Sequence, residues 1–149
     1  AYIELGNDIT LSAGGSTGSA FTINGVTGLT IDGAGYTLGF ASSSNTNGRI
    51  FYIAGGAQVE MVDLTLENGY FYSSSGGMSG GAIGLDSSTL EMTSCTLSGN
   101  TAYGSWTGRG GAIAAYDDST LTVTSCTLSG NTATGSVCTE ATFMRVWLE

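Results

Sequence analysis

Residues 80 to 102 read GGAIGLDSSTLEMTSCTLSGNTA, and residues 110 to 133 read GGAIAAYDDSTLTVTSCTLSGNTA. A chain that repeats itself this closely builds one unit several times, so its fold has to stack copies of that unit. The period is about thirty-one residues. Followed backwards, Leu121, Leu90, Val59 and Leu29 fall in one series, and Val123, Met92, Met61 and Ile31 in a second. Leu128, Leu97, Leu66 and Tyr36 make a third, and Ile113, Ile83, Ile53 and Ile23 a fourth. The expectation is a single domain, with 1–20 as an initial partial turn, 21–133 as repeated turns and 134–149 as an atypical C-terminal segment.

Within each unit apolar and polar residues alternate, as in Leu90-Glu91-Met92 and Cys95-Thr96-Leu97. Period two means strand. Three short strands per unit are expected, around Ile83, Leu90–Met92 and Cys95–Leu97, with Gly, Ser, Asp and Asn between them and no helical periodicity. Parallel strands normally need a helical crossover. A coil whose turns stack on one another dispenses with it, so the pattern points to an all-β fold, a single-stranded parallel β-helix with about 31 residues per turn. Equivalent residues then lie ~4.8 Å apart on successive turns, and each series becomes a ladder: Ile53, Ile83 and Ile113; Cys95 on Cys126; Thr65, Thr96 and Thr127. Asn100 and Asn131 end the Leu-Ser-Gly-Asn segments, where the chain must turn, and their amides are expected to stack along the coil and to tolerate left-handed backbone geometry.

Composition agrees with such a coil. The chain has 149 residues and no proline, which would remove a ladder donor wherever it fell inside a strand. Only 10% of residues are charged, and the formal net charge is -9 with three arginines, Arg49, Arg109 and Arg145, and no lysine or histidine. So few cations make nucleic acid and anionic membranes poor partners. Without histidine, the Ser-His-Asp and Cys-His arrangements drop out, and without lysine so do Schiff bases and P-loops. No apolar run approaches the ~20 residues needed to span a bilayer. Opening at Ala1 suits either a secreted protein after signal removal or a fragment of something longer.

The tetrapeptide Gly-Gly-Ala-Ile at 80–83 and 110–113, with the recurring Ser-Gly-Asn-Thr-Ala, resembles the repeats of chlamydial polymorphic outer membrane proteins. Those repeats pair GGAI with F-x-x-N; here Leu97-Ser-Gly-Asn100 and Leu128-Ser-Gly-Asn131 stand in that place, with Leu for Phe. The likeness covers roughly residues 80–133. Upstream, Leu29-Thr-Ile-Asp-Gly-Ala-Gly-Tyr-Thr-Leu38 is similar to the early-turn pattern of the wider pectate-lyase-like superfamily of right-handed β-helices. The resemblance implies a right-handed coil and an extracellular or surface-displayed role in adhesion. The superfamily also holds lyases and hydrolases, so polysaccharide cleavage stands as the alternative.

A lyase of this kind wants an Arg or Lys base beside clustered acids, and Arg49 and Arg109 are the residues that could flank a groove. Glu60 and Glu91 form the one well-aligned outward acid ladder. Two carboxylates at that spacing either stay solvated at a cost of a few tenths of a kcal/mol or recruit a cation. Asp86 and Asp117 fall in equivalent places, with Asp118 adjacent; oxygen-rich turns of this sort either form turns or ligate Ca²⁺. Calcium is the sole cofactor expectation, on Asp86, Asp117, Asp118, Glu60 and Glu91. Cys95 and Cys126 are expected as free, buried thiols, and Cys138 lies outside the pattern.

Two stretches depart from the coil after the Asn turn, 69–79 and 101–109, and gather Tyr70, Phe71, Tyr72, Met78, Tyr103 and Trp106 on one edge beside Arg109. Aromatics there would stack on sugars or anchor a partner, or fold down as a lid. The threonine file raises ice binding as a minor class, interrupted by Glu60 and Glu91. The C-terminal segment either caps the coil or leaves sticky ends that stack copies into filaments. The resulting expectation is a non-enzymatic structural or adhesive module outside the cell, whose partners are other copies of itself, surface proteins or glycans.

Overall fold

A computed structural model describes residues 1–15, 17–74, 79–104 and 110–135. Within them the chain forms strands only, numbered β1 to β17 in chain order, and every pairing is parallel. Sheet A stacks β1 (Tyr2–Glu4), β4 (Leu29–Asp32), β7 (Gln58–Val62), β11 (Thr89–Thr93) and β15 (Thr120–Thr124). Sheet B stacks β2 (Ile9–Leu11), β5 (Thr37–Phe40), β8 (Thr65–Glu67), β12 (Thr96–Ser98) and β16 (Thr127–Ser129). Sheet C stacks β3 (Ser19–Asn24), β6 (Arg49–Ala54), β10 (Ile83–Asp86) and β14 (Ile113–Tyr116). Sheet D holds β9 (Tyr70–Ser73), β13 (Thr101–Gly104) and β17 (Thr132–Gly135). One circuit of the chain visits C, A, B and then D, which makes a parallel β-solenoid of about 4 turns with about 31 residues per turn.

The inward rows are the expected ladders in two of four cases. Leu29, Val59, Leu90 and Leu121 stand in file, as do Ile31, Met61, Met92 and Val123, and all are buried. In sheet B the file is Leu38, Leu66, Leu97 and Leu128, not Tyr36, which lies just before β5 and is exposed. In sheet C the expected isoleucine file is split. Ile83 pairs Ile113 on one side and Phe51 on the other, while Ile53 pairs Leu85 and Ile23. The cause lies at two corners. The chain takes two residues, Ser87 and Ser88, from sheet C to sheet A in this turn, but three in the neighbouring turns, and the step from Phe51 to Ile83 is stretched to 32 residues. A fixed period cannot see two such changes that cancel by Leu90.

Corners are where a helix-free coil is hardest to build, because the chain must bend while its backbone polar groups stay paired. Left-handed residues make the bends. Asp63, Ser94 and Ser125, each thirty-one residues from the next, have φ of 47°, 56° and 53° between sheets A and B. Asn68, Gly99 and Gly130 have φ of 60°, 62° and 62° between B and D. The left-handed residue there is therefore the one before Asn100 or Asn131, and the asparagines do something else. Asn100 is fully buried; its Oδ1 accepts from the Gly69 N–H at 2.9 Å and its Nδ2 donates to the Leu66 carbonyl at 3.2 Å, both on the preceding turn. Its Nδ2 and its backbone N–H both donate to Asn131 Oδ1 at 3.0 Å, and Asn131 Nδ2 donates to Leu97 O at 2.9 Å. Each amide thus holds one corner to the corner below.

The Gly-Gly of the repeat is a packing requirement. A Cβ on Gly81 would stand 2.3 Å from the Gly111 carbonyl oxygen and 2.6 Å from the Thr101 nitrogen, so the return from sheet D to sheet C passes between two backbones with no room for a side chain. At the other corner Cys95 and Cys126 are free thiols: Cys95 is buried and its thiol donates to Met61 O, while its backbone N–H donates to Cys126 Sγ at 3.2 Å. Burial pushes the Cys95 thiol up to about 11. The end of the coil formed by β1, β2 and β3 leaves Ile3, Ile9 and Phe21 exposed. The C-terminal segment from 136 on, Cys138 included, lies outside the described residues.

Replacing Asn100 by Ala strands the Gly69 N–H and the Leu66 carbonyl in a buried corner. Chemical denaturation should show a loss of about 2 to 4 kcal/mol, and a clearly smaller loss for Asn131→Ala, whose side chain is only half-buried. Equal effects would contradict the clamp.

Candidate functional site

Sheet D is the part of the coil that the repeat did not predict. The stretches expected to leave the coil at 69 and 101 first run along it as β9 and β13, and β17 continues the stack. Side chains of a strand alternate between faces, and burial fixes which is which: Ala102 is fully buried while Tyr103 is 42% exposed. The register then sets Phe71, Ala102 and Ala133 inward, and two rows outward: Tyr70, Thr101 and Thr132; Tyr72, Tyr103 and Thr134. The Tyr72 and Tyr103 rings stack at 5.8 Å between centroids with 22° between planes. Tyr70, two residues before Tyr72 on the same strand, shares this face, and burial, then the neighbouring Tyr103 and Tyr72, push its phenol up. Stacked along the coil axis, the pair turns edges and hydroxyls outward. Tyr103 has Tyr72 on one side and only the small Thr134 on the other, so among the described residues no ring covers its second face.

Phe71 points the other way and meets Arg49. The Arg49 guanidinium carbon lies 3.7 Å from the Phe71 ring centroid and 5.5 Å from that of Tyr52. Its Nε donates to the Gly80 carbonyl at 3.1 Å, and the side chain is 2% exposed. Room for it comes from Gly84, where a Cβ would stand 2.1 Å from an Arg49 Nη. Burial lowers the Arg49 pKa to about 10, against the smaller opposing pull of the Tyr116 and Tyr52 phenols. Around it Tyr52 donates to Asp86 Oδ2 at 2.8 Å, and the Ser79 N–H donates to the Tyr116 hydroxyl oxygen. Arg49, expected at a groove, instead fastens the chain at Gly80 to the coil, and a buried guanidinium cannot meet a substrate carboxylate.

The expected calcium residues do not converge. Glu60 and Glu91 are adjacent and exposed, with Thr30 Oγ1 donating to Glu60 Oε2 at 2.9 Å. Asp86 pairs with Tyr116 rather than Asp117 because its corner is one residue shorter, and its two oxygens accept from Tyr52 and Ser87. Asp117 and Asp118 are exposed left-handed turn residues, with φ of 45° and 59°. Among the described residues no group of three or more His, Cys, Asp or Glu is placed to hold a metal ion. Met78, Trp106 and Arg109 lie outside the described residues. Sequence reasoning found the tyrosines but missed Thr101, Thr132 and Thr134 as their neighbours; the alternation Thr101-Ala102-Tyr103 carried that signal.

The sequence profile of the family described as "Putative pectate lyase-like adhesive domain" matches residues 1–134. No curated protein and no solved structure matches the chain. The chain belongs to the pectate lyase-like adhesive family, within the wider pectate-lyase-like group of β-helices.

Arg49→Lys keeps a cation but loses the planar group that lies on Phe71 and the Nε donor to Gly80. It should lower the unfolding free energy by about 2 kcal/mol or more and speed proteolytic cleavage around Gly80, between Ser79 and Ala82. Unchanged stability and cleavage would show that Arg49 does not fasten this segment.

Proposed function

We propose that this member of the pectate lyase-like adhesive family is an adhesive module working at a cell surface or outside the cell, and that it holds its partner on the outer face of sheet D. The observation that carries the reading is the Tyr72–Tyr103 stack, with Tyr70 beside it, standing on a three-stranded face. Aromatic side chains with polar tips offer large contact area at low entropic cost, and hot spots of recognition are rich in them. The coil supplies what an adhesive site needs, a fixed backbone on which neighbouring side chains keep their spacing. The Gly-Gly-Ala-Ile and Ser-Gly-Asn-Thr-Ala motifs, which resemble those of chlamydial surface proteins, support the same location. Cleavage of an acidic polysaccharide is the weaker reading: it needs a cation facing substrate, and Arg49 lies beneath Phe71. We read the chain as binding without turnover.

The test is an array of immobilised glycans and matrix proteins, probed with the native chain and with Tyr72→Ala/Tyr103→Ala. Both tyrosines lie on the outward face, so the variant should keep its cooperative unfolding. Binding should fall by roughly tenfold or more. Binding that survives intact would move the adhesive site off sheet D.

A further inference from the structure

Charge divides the four sheets. Strands of sheet A carry Glu4, Asp32, Glu60 and Glu91, sheet B carries Glu67, and sheet C carries Arg49 and Asp86. The strands of sheet D, Tyr70–Ser73, Thr101–Gly104 and Thr132–Gly135, carry no charged residue. Its outward positions are Tyr70, Tyr72, Thr101, Tyr103, Thr132 and Thr134, so every one of them bears a hydroxyl. In a chain of net charge -9 this is a neutral face, furnished with donors and acceptors and, among the described residues, one aromatic face that no other ring covers.

Resting on the adhesive reading of the same sheet, we infer that its ligand is a neutral glycan seated on the outward face beside Tyr103. The chemistry of the face selects it. An acidic polysaccharide would meet no cation on these strands and would be repelled by the field of an acidic protein. A sugar ring has an apolar C–H face that packs on the side of Tyr103 away from Tyr72, and hydroxyls at its rim that pair with Thr132, Thr134 and the phenols. A typical protein interface is built round an apolar centre, whereas every outward position of these strands carries a hydroxyl.

The experiment is affinity electrophoresis of the full chain in gels containing a neutral glucan, a neutral mannan or polygalacturonate, at low and high salt. At least one neutral polymer should retard the chain, with little change on adding salt. Tyr103→Ala should weaken retardation by roughly tenfold, and Thr132→Val/Thr134→Val, which keeps shape and removes hydroxyls, by about threefold or more. Thermal unfolding of each variant checks that the coil is intact. Retardation by polygalacturonate alone, lost at high salt, overturns the neutral-glycan assignment. So does binding on the array confined to matrix proteins; if that binding still needs Tyr72 and Tyr103, the adhesive reading of sheet D stands without its glycan. Neutral-glycan retardation indifferent to both variants overturns the assignment to this face.

Discussion

Everything in this coil depends on keeping backbone polar groups paired where the chain turns. Along the strands the parallel ladder does it automatically, each turn satisfying the next. At a corner the ladder is interrupted, and an unpaired buried N–H or carbonyl costs more than a typical hydrogen bond gains. The chain answers with left-handed residues that bend it sharply and, between sheets B and D, with a buried amide. Asn100 accepts from one turn, donates to it, and is itself held by Asn131. The Ser-Gly-Asn-Thr-Ala motif is this corner written out. Ser faces outward, Gly bends, Asn clamps, Thr begins the outer row of sheet D, and Ala packs beneath it.

Stacked corners fix what can vary. Because Gly81 threads between Gly111 and Thr101, the chain re-enters sheet C at one place whatever lies between sheets D and C. Extra residues can therefore be accommodated at that single edge without disturbing the ladders on either side. The same edge needs something to hold it down, and the buried Arg49, flanked by Phe71 and resting over Gly84, takes that part. Fixing the edge also fixes sheet D, so the tyrosines stand on an anchored surface rather than on a free loop.

The fold was legible because a repeat displays its own period. Leu90 and Leu121, or Met61 and Met92, announce their stacking in the sequence alone, and alternation assigns their faces. What stayed hidden are the places where the period is broken locally. Ile53 and Ile83 look equivalent until the shorter corner at Ser87-Ser88 and the longer step from Phe51 are known. Sheet D reads in sequence as the start of an excursion because Tyr-Phe-Tyr in one turn and Thr-Ala-Tyr in the next do not look like copies, although they share an alternation. The position of Arg49 just before Ile50-Phe51, like that of Arg109 before Gly-Gly, suggests a groove, and its burial is invisible in sequence because the room for it exists only where Gly84 on the next turn gives up a side chain. The tyrosine cluster was visible from composition and position, whereas its neutrality was not, since that depends on which residues share the face.

The central claim is that successive turns are interchangeable steps of one ladder, and deleting a turn tests it. Removing residues 90–120 joins Thr89 to Leu121, which stands in register with Leu90, so the shortened chain keeps every inward and outward row. Circular dichroism with denaturant unfolding should show an intact β structure that unfolds cooperatively, at lower stability. Removing 92–121 instead joins Glu91 to Thr122 in mid-strand, one residue out of register, so either Glu91 or Thr122 is forced into an inward row, and that transition should be abolished. Two deletions that fold equally well, or a full-turn deletion that does not fold while the offset one does, would contradict the account.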